Sequence, residues 1–564
     1  MAPDGCETGP VTPEQLAEAV TVALAAAVAD GSLNLPDGVP TDVRVERPRQ
    51  SGFGDYATNV AMRLARPAGT TPRALAELLA TRLRALPGVD GVEVAGPGFL
   101  NIALAAGAQG ELARTIVEAG AAYGANDSQR GGALDLEFVS ANPTGPVHIG
   151  SVRWAAVGDA LARVLTISGA EVTREYYFND AGSQITRFAE SLIAAAAGRP
   201  APDKGYVGQY IGDIAGRVVA AEPGVLDLPE ADAVEVFRVR GVALMFDEIR
   251  ASLDSFGVRF DVWFNEKDLH DAGDLDAALA RLTALGHVYE ADGATWLRTT
   301  TFGDDRDRPL VTSDGRWTYF AADCAYYGNK RGRGFERVVI MLGADHHGYV
   351  GRYRALVAAY GDDPDRNLEI LIGQFVNLMR DGVPLKMSKR AGTSISMADL
   401  VDAIGVDASR YALARFSVDT PIDLDLDLWS KQSDENPVYY VQYAHARTCS
   451  VTRNAVATGI SRDPADFVST TLTHDRESAL LSRLAGFPAV VRAAAELREV
   501  HRIARYAEAL AGDYHRWYDA CRVIPRAEET VEPVNTARLW LNEATRTVLA
   551  GSLGLLGVGA PERM

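Results

Sequence analysis

The 564-residue sequence predicts an α/β protein built on a parallel sheet, with a small α/β unit before it and an all-helical unit after it. Three observations predict this. Over residues 130–425, strand-like runs alternate with helical periodicity, twice in the order strand, loop, helix, strand. A shorter mixture of helices and strands fills residues 1–118, ahead of a polar, glycine-punctuated linker at Gly120–Gly132. Over residues 430–564 the periodicity is helical and strand signals are scarce.

Composition sets the frame. Hydrophobic residues make up 47% and charged residues 23%, ordinary for a chain with several packed cores. No run reaches the roughly 18 apolar residues of a membrane span, so no membrane partner is expected. Met1–Pro10 lacks the basic-then-apolar order of a secretory signal. Cys6, Cys324, Cys449 and Cys521 are scattered, which points to a reduced cytoplasmic home without disulfides or structural zinc. The net charge of −19, from 75 acidic and 56 basic residues, argues against an unspecific nucleic-acid coat. A selective RNA enzyme stays open, because the distribution of charge matters more than its sum. Lysine stands only at positions 204, 267, 330, 386, 389 and 431. In so arginine-biased a chain, the pair Lys386 and Lys389 in one loop indicates a need for compact ammonium groups there.

The elements follow in order. The first unit starts with an amphipathic helix over Leu16–Ala29 and an extended piece at Val43–Val45. A glycine-bearing loop, Ser51–Tyr56, leads to two helices and then strands at Val92–Ala95 and Phe99–Ala103. The central unit opens with a strand, Leu134–Val139, and a loop through Pro143, Gly145 and Pro146. A helix runs from His148 to Ser168 with Val152, Ala155, Ala156, Leu161, Val164 and Leu165 on one face; Gly169 ends it and Val172–Phe178 is the next strand. This unit is the building block of a Rossmann-like nucleotide-binding sheet. Its second half comprises strand Val338–Leu342, the loop Gly343–Gly348, a helix, strand Leu368–Ile372 and the lysine loop. Residues 195–315, helical and then β-rich, read as an insertion. Tyr439, Tyr440, Tyr443, His445 and Arg447 cluster at the start of the helical unit.

Two segments carry chemistry. Pro146–Ser151 lies where a loop enters a helix, so free N–H groups and the positive dipole end face any anion. His148 there either stabilises charge growing on a phosphate or merely caps the helix, and Gly150 lets a ligand approach the backbone. Lys386–Thr393 either folds two ammonium groups over a triphosphate as pyrophosphate leaves or is a solvated basic turn. Both segments stand in one fold, in this order, roughly 240 residues apart, which favours the chemical readings. Neither a GxxxxGK[ST] loop nor a GxGxxG fingerprint occurs in this sheet.

His148-Ile149-Gly150-Ser151 and Lys386-Met387-Ser388-Lys389-Arg390 resemble the HIGH and KMSKS signatures of class I aminoacyl-tRNA synthetases. The wider pattern is similar to the bacterial arginyl type over nearly the whole chain: Phe53–Tyr56, Glu137–Pro146, Tyr177–Gly182, Thr318–Asp323, Gly343–Gly348, Asn436–Tyr440 and the tail Ala560–Met564. The resemblance implies a catalytic Rossmann-like domain over 130–425, a tRNA-contacting domain over 1–118 and an anticodon-binding helical domain over 430–564. It implies a monomeric arginine–tRNA ligase whose partners are ATP, L-arginine and tRNA(Arg), with Mg2+ carried on the phosphates and no dedicated protein metal site. His148, Ser151, Lys386 and Lys389 fall at catalytic positions. Gly150, Asp345, His346, Met387 and Ser388, with His148 and Lys389, fall at ATP positions. Glu137, Ser140, Asn142, His148, Tyr319 and Asp323 fall at arginine positions. Within that set, Glu137 and Asn142 match contacts to the arginine side chain and its α-amino group. Tyr319 and Asp323 match the aromatic wall and carboxylate of a guanidinium pocket, and they share a helical face if that segment is helical. Phe53, Tyr440, Tyr443, Arg447 and Met564 fall at tRNA positions.

Two positions depart from the pattern. Ser151 stands for the second histidine of HIGH, and Trp154 stands where a small residue is usual, either crowding the ATP site or packing outward. Loss of a transition-state donor costs on the order of 3 kcal/mol, so a weakened but working enzyme, of the kind a paralogue would be, is expected. A catalytically impaired tRNA-binding or regulatory protein and a tRNA-independent arginine-adenylating ligase are the rival readings.

Overall fold

The computed structural model describes residues 12–46, 48, 54–180, 182–385, 395–526 and 529–564. Phe53 and the loop residues Lys386, Met387, Ser388 and Lys389 lie outside them.

The first helix, Pro13–Ala29, begins at Thr12, whose hydroxyl accepts from the Gln15 amide while the Gln15 side chain accepts from the Thr12 amide. It packs against the helix Pro72–Leu83, which lies on an antiparallel sheet of β1 (Tyr56–Thr58), β2 (Val89–Ala95) and β3 (Phe99–Leu104), with β3 in the middle. Leu16, Val20, Leu24, Leu79, Leu100 and Ile102 give this unit its own core. The next helix, Ala106–Ala119, places Leu112, Ala113 and Ile116 in the large core shared with the C-terminal helices. The last helix of the 1–118 unit is thus packed with residues far downstream, and Tyr123 Oη donates to the Leu484 carbonyl at 3.0 Å nearby.

The central sheet uses β4 (Leu134–Glu137), β5 (Val172–Phe178) and β6 (Val262–Asn265). A small antiparallel sheet follows, β7 (Val288–Ala291), β8 (Ala294–Leu297) and β9 (Arg308–Val311), and the chain returns through β10 (Arg337–Gly343) and β11 (Leu368–Gly373). The five-stranded order is β11-β10-β4-β5-β6, all parallel. The insertion expected at 195–315 is therefore interrupted: Val262–Asn265 rejoins the sheet as an edge strand, a short run whose pairing with Glu175–Phe178 is invisible in local pattern. A fourth sheet, β12 (Val376–Arg380), β13 (Val383–Pro384) and β14 (Ile422–Asp425), takes strands from either side of the lysine loop in sequence.

The chain leaves β4 toward β5 and β6 on one side and comes back to its other side as β10. That reversal makes a topological switch point, where ligands bind beyond the carboxyl ends of the strands. The helix Ile149–Ile167 covers this sheet; its six anticipated apolar residues are all buried. Gly158 allows close approach, since a Cβ there would stand 2.4 Å from the Phe138 ring. The C-terminal unit is helical, led by Pro437–Ala457, His501–Ala520 and Pro533–Leu555. Among the described residues no helix is long and apolar enough to cross a membrane.

Candidate active site

The exit from β4 is a strained turn. Val139 at φ 70° and Ser140 at φ 39° lie in the left-handed region, costly above all for a β-branched side chain. The turn brings Ser140 Oγ back to donate to Glu137 Oε1 at 3.0 Å and to accept from the Tyr177 amide at 3.2 Å. Asn142 Oδ1 accepts from the Asn179 amide at 3.2 Å, and its Nδ2 donates to Gln184 Oε1 at 3.1 Å. Tyr176 and Tyr210 donate to the carbonyls of Ala141 and Thr144 at 2.8 and 3.2 Å, so the loop is held from two sides.

His148 is the N-cap of the covering helix, and its Nδ1 accepts from the Gly150 amide at 3.1 Å. With that lone pair engaged, the proton of the neutral ring sits on Nε2, which makes the ring a donor for an anion. Ser151, half-buried, is the third helical residue, and its amide donates to the His148 carbonyl at 2.8 Å. Residues 147–149 also pair with 395–397: the Ile149 amide donates to the Ile395 carbonyl at 3.1 Å and the Met397 amide to the Val147 carbonyl at 2.8 Å. The segment leaving the lysine loop is thus stitched to the His148 turn.

Trp154 does not pack outward. Its indole is buried against Gly373 at the end of β11, where a Cβ would fall 2.3 Å from the ring. Arg153 beside it is buried too, donating to the carbonyls of Gln374 at 2.8 Å, Thr420 at 3.0 Å and Ser417 at 2.7 Å. Both large residues therefore tie the covering helix to the strands around the lysine loop.

The floor of the crevice is acidic. Thr318 caps the helix Tyr319–Gly332, so Tyr319 and Asp323 do stand one turn apart. Tyr319 is 74% exposed at the rim, its hydroxyl 3.8 Å from the position of a Cβ on Gly182. Asp323 accepts from Tyr353 Oη at 3.1 Å. Burial pushes its pKa up to about 7; Tyr353 and Arg352 oppose the rise, while Glu266 and Glu137 add to it. Glu266, at the end of β6, accepts from Asn179 Nδ2 at 2.7 Å and from Tyr177 Oη. Behind Glu137, Lys330 sits among Asp135, Glu137 and Glu175. Glu266, Tyr353 and Lys330 were not among the site residues read from the sequence.

On the β10 side, Asp345 and His346 form a single turn after Gly343, half or more exposed, with His346 Nε2 3.5 Å from Asp345 Oδ2. Glu137, Ser140, Asn142, His148, Gly150, Asp323, Asp345 and His346 thus lie at the ends of β4 and β10 and in the first turns of two helices, Ile149–Ile167 and Tyr319–Gly332. Four of the tRNA candidates, Tyr440, Tyr443, Arg447 and Met564, lie on the helical unit. Arg447 donates to Tyr443 Oη at 2.8 Å and lies 4.7 Å over its ring and 5.0 Å over Tyr518. Tyr440 rests against His515, ring centroids 5.0 Å apart. The tail carrying the half-exposed Met564 is held by His445 against the Pro561 carbonyl at 2.9 Å and by Gln442 donating to the Gly559 carbonyl at 2.9 Å.

Residues 14–104 match the family described as the arginyl tRNA synthetase N terminal domain, and residues 441–564 match the DALR anticodon binding domain. The chain is 60% identical to an arginine–tRNA ligase of Kineococcus radiotolerans, over 98% of this chain and all of that one. The chain belongs to the arginyl-tRNA synthetase family. An arginine–tRNA ligase of Frankia alni is 57% identical over the same shares. The arginyl-tRNA synthetase of Thermus thermophilus has the same fold, with a TM-score of 0.75 over 98% of this chain and all of that one at 24% identity. The match over residues 441–564 makes the helical unit a DALR anticodon-binding domain.

Proposed function

We propose that this arginine–tRNA ligase activates L-arginine with ATP in the crevice between β4 and β10 and transfers it to the 3′ end of tRNA(Arg). The observation that carries the reading is the set of carboxylates there, Glu137, Glu266 and Asp323, beside an imidazole at a helix N-terminus. A guanidinium suits Asp323 and Glu266 with Tyr319 as a rim aromatic, since a planar fork of donors wants carboxylates and a ring face. Glu137 and Asn142 receive the α-amino end, and Ser140 fixes Glu137 by its hydrogen bond. Citrulline would leave the carboxylates unpaired, and lysine could not bridge two of them, which gives selectivity without an editing site.

The arginine carboxylate attacks the α-phosphate in line, pyrophosphate leaves, and the 2′- or 3′-hydroxyl of the terminal adenosine then takes the arginyl group. His148 donates from Nε2 to the phosphates, the backbone at Gly150 faces them, and Asp345 and His346 flank the adenosine. Lys386 and Lys389, with Met387 and Ser388, are assigned to the triphosphate from the sequence. Among the described residues no cluster of three metal-ligating side chains stands ready. Mg2+, when bound with ATP, neutralises phosphate charge and is assigned to the phosphates themselves.

Tyr440, Tyr443, Arg447, Met564 and Phe53 are assigned to tRNA, supported by the aromatic–arginine face of the helical unit. A monomer of three domains, 1–118, 130–425 and 430–564, working in the cytoplasm, completes the reading. Buried, unpaired Cys324, Cys449 and Cys521 agree with a reducing compartment. Arginine-dependent pyrophosphate exchange with and without tRNA(Arg) tests it: exchange is expected only when tRNA(Arg) is present, exchange without tRNA would favour a tRNA-independent adenylating ligase, and none under any condition would refute the assignment.

A further inference from the structure

Lys330 belongs to none of the substrate sets assigned above, yet it stands at the back of the crevice with its side chain 1% exposed. Its ammonium is 3.0 Å from Glu137 Oε2 and 2.9 Å from Glu175 Oε1, and it donates to Asp135 Oδ2. The three carboxylates come from two neighbouring strands, Asp135 and Glu137 on β4 and Glu175 on β5. Only a small tetrahedral donor fits where three carboxylates converge; a planar guanidinium would have to lie along one or two of them. Lysine at this position is one of six in the chain, the rest of whose cations are arginines.

We propose that Lys330 is a positioning residue for arginine binding, holding the Glu137 carboxylate turned so that it can receive the α-amino group. The inference rests on the pocket assignment given above.

Glu137 is fixed at both oxygens, Oε1 by the Ser140 hydroxyl and Oε2 by the ammonium. Glu175 has further partners, Arg333 at 2.5 and 3.0 Å and Tyr326 Oη. Among the described residues Glu137 has no second cation and Oε2 has no aligned hydrogen bond, so Lys330 is its one cationic neighbour there. Burial works against the charge on Lys330, but Asp135, Glu137 and Glu175 outweigh it and hold the pKa above the ordinary lysine value. The charged and titratable groups facing the cluster are Arg333 and Tyr326 on its own helix, Tyr177 on β5, Tyr353 and Asp323, with Glu266 across the crevice. Only Arg333 among them adds positive charge. Burial already pushes Asp135 up to about 7 while Lys330 opposes the rise, so removing the ammonium lets the buried cluster take up a proton more readily. A proton held there weakens the negative charge facing the bound amino acid, and the defect must then be reversible by alkali.

The test compares KM and kcat for arginine in tRNA charging at pH 7 and pH 9, for the parent, Lys330→Met and Lys330→Arg. The expected result is a KM raised tenfold or more at pH 7 in both variants. In Lys330→Met it falls back at least fivefold by pH 9, while the parent changes less than twofold. A loss without pH recovery, as a purely structural role would give, overturns the proposal, and so does a KM within twofold of the parent. Should Lys330→Met fail to fold, Asp135→Asn with Lys330→Met removes one charge of each sign and leaves Glu137 without its cation. Folded double variant with parent-like KM also overturns the proposal, and raised KM with alkaline recovery supports it. Asp323→Asn is the control for the pocket: if it too keeps the parent KM, the pocket assignment fails rather than the role of Lys330.

Discussion

Replacing Asp323 by asparagine is expected to stabilise the free protein and disable it as an enzyme. The carboxyl ordinarily titrates at 3.8, and in the folded chain burial raises it to about 7. Between those values the folded protein keeps a proton that the unfolded chain has lost, so stability falls as pH rises through that window. At about 1.4 kcal/mol per pKa unit, the full ionisation costs on the order of 2–4 kcal/mol once partial solvent contact is allowed for. Asparagine removes this cost. Thermal melts of parent and Asp323→Asn at pH 4.5 and pH 8 measure it: near coincidence at the lower pH, and a variant several degrees more stable at the higher one. Bound arginine supplies the cation that the site lacks, so its loss should lower kcat/KM for arginine by about 10²–10³, the scale of a broken desolvated ion pair. In the parent, KM for arginine should rise close to tenfold per unit below pH 7, because only the ionised carboxylate pairs with a guanidinium. Melting differences that ignore pH, with arginine kinetics within threefold of the parent, would refute this reasoning.

Four further outcomes are expected. Lys389→Ala should lower single-turnover adenylate formation about a hundredfold while leaving KM for arginine within threefold, as for a clamp made mainly in the transition state; unchanged turnover makes the lysine loop a plain basic turn. Ser151→His should raise single-turnover activation about tenfold if the missing imidazole limits the step, and no gain means that the helix N-terminus already serves without it. The indole of Trp154 is core, so Trp154→Gly should destabilise the fold by about 3–5 kcal/mol instead of opening room, read as a lowered melting temperature. Tyr443→Ala should raise KM for tRNA several-fold without changing KM for arginine, since the exposed ring and Arg447 form a stacking face far from the crevice; equal effects on both would contradict that separation.

Much of the architecture was legible because apolar periodicity is a local signal. The strand Val172–Phe178 appears with the same bounds, and the helix expected at His148–Ser168 runs over Ile149–Ile167 with those two residues as caps. Tyr319 and Asp323 share a helix, as their spacing required. What stayed hidden depends on pairings distant in sequence. A glutamate at a strand end reads as a solvent charge until Lys330, nearly two hundred residues away, is found against it. Glu266 follows a four-residue strand inside a stretch that reads as an insertion, so nothing local brings it to the site. Trp154 reads as an intruder in a helix of small residues because its complement, Gly373, lies across the fold. Arg153 similarly reads as a surface cation until the three carbonyls it satisfies are seen together.

The most direct test of the central claim is charging of tRNA(Arg) by the purified protein with each of arginine, lysine and citrulline under the same conditions. Arginine alone should be attached, with lysine and citrulline at least about a thousandfold poorer in kcat/KM, because a site built for a fork of donors leaves buried carboxylates unpaired with either rival. Charging with lysine at a rate comparable to arginine would contradict the guanidinium pocket of Asp323, Glu266 and Tyr319, and failure to charge arginine at all would contradict the assignment of the crevice itself.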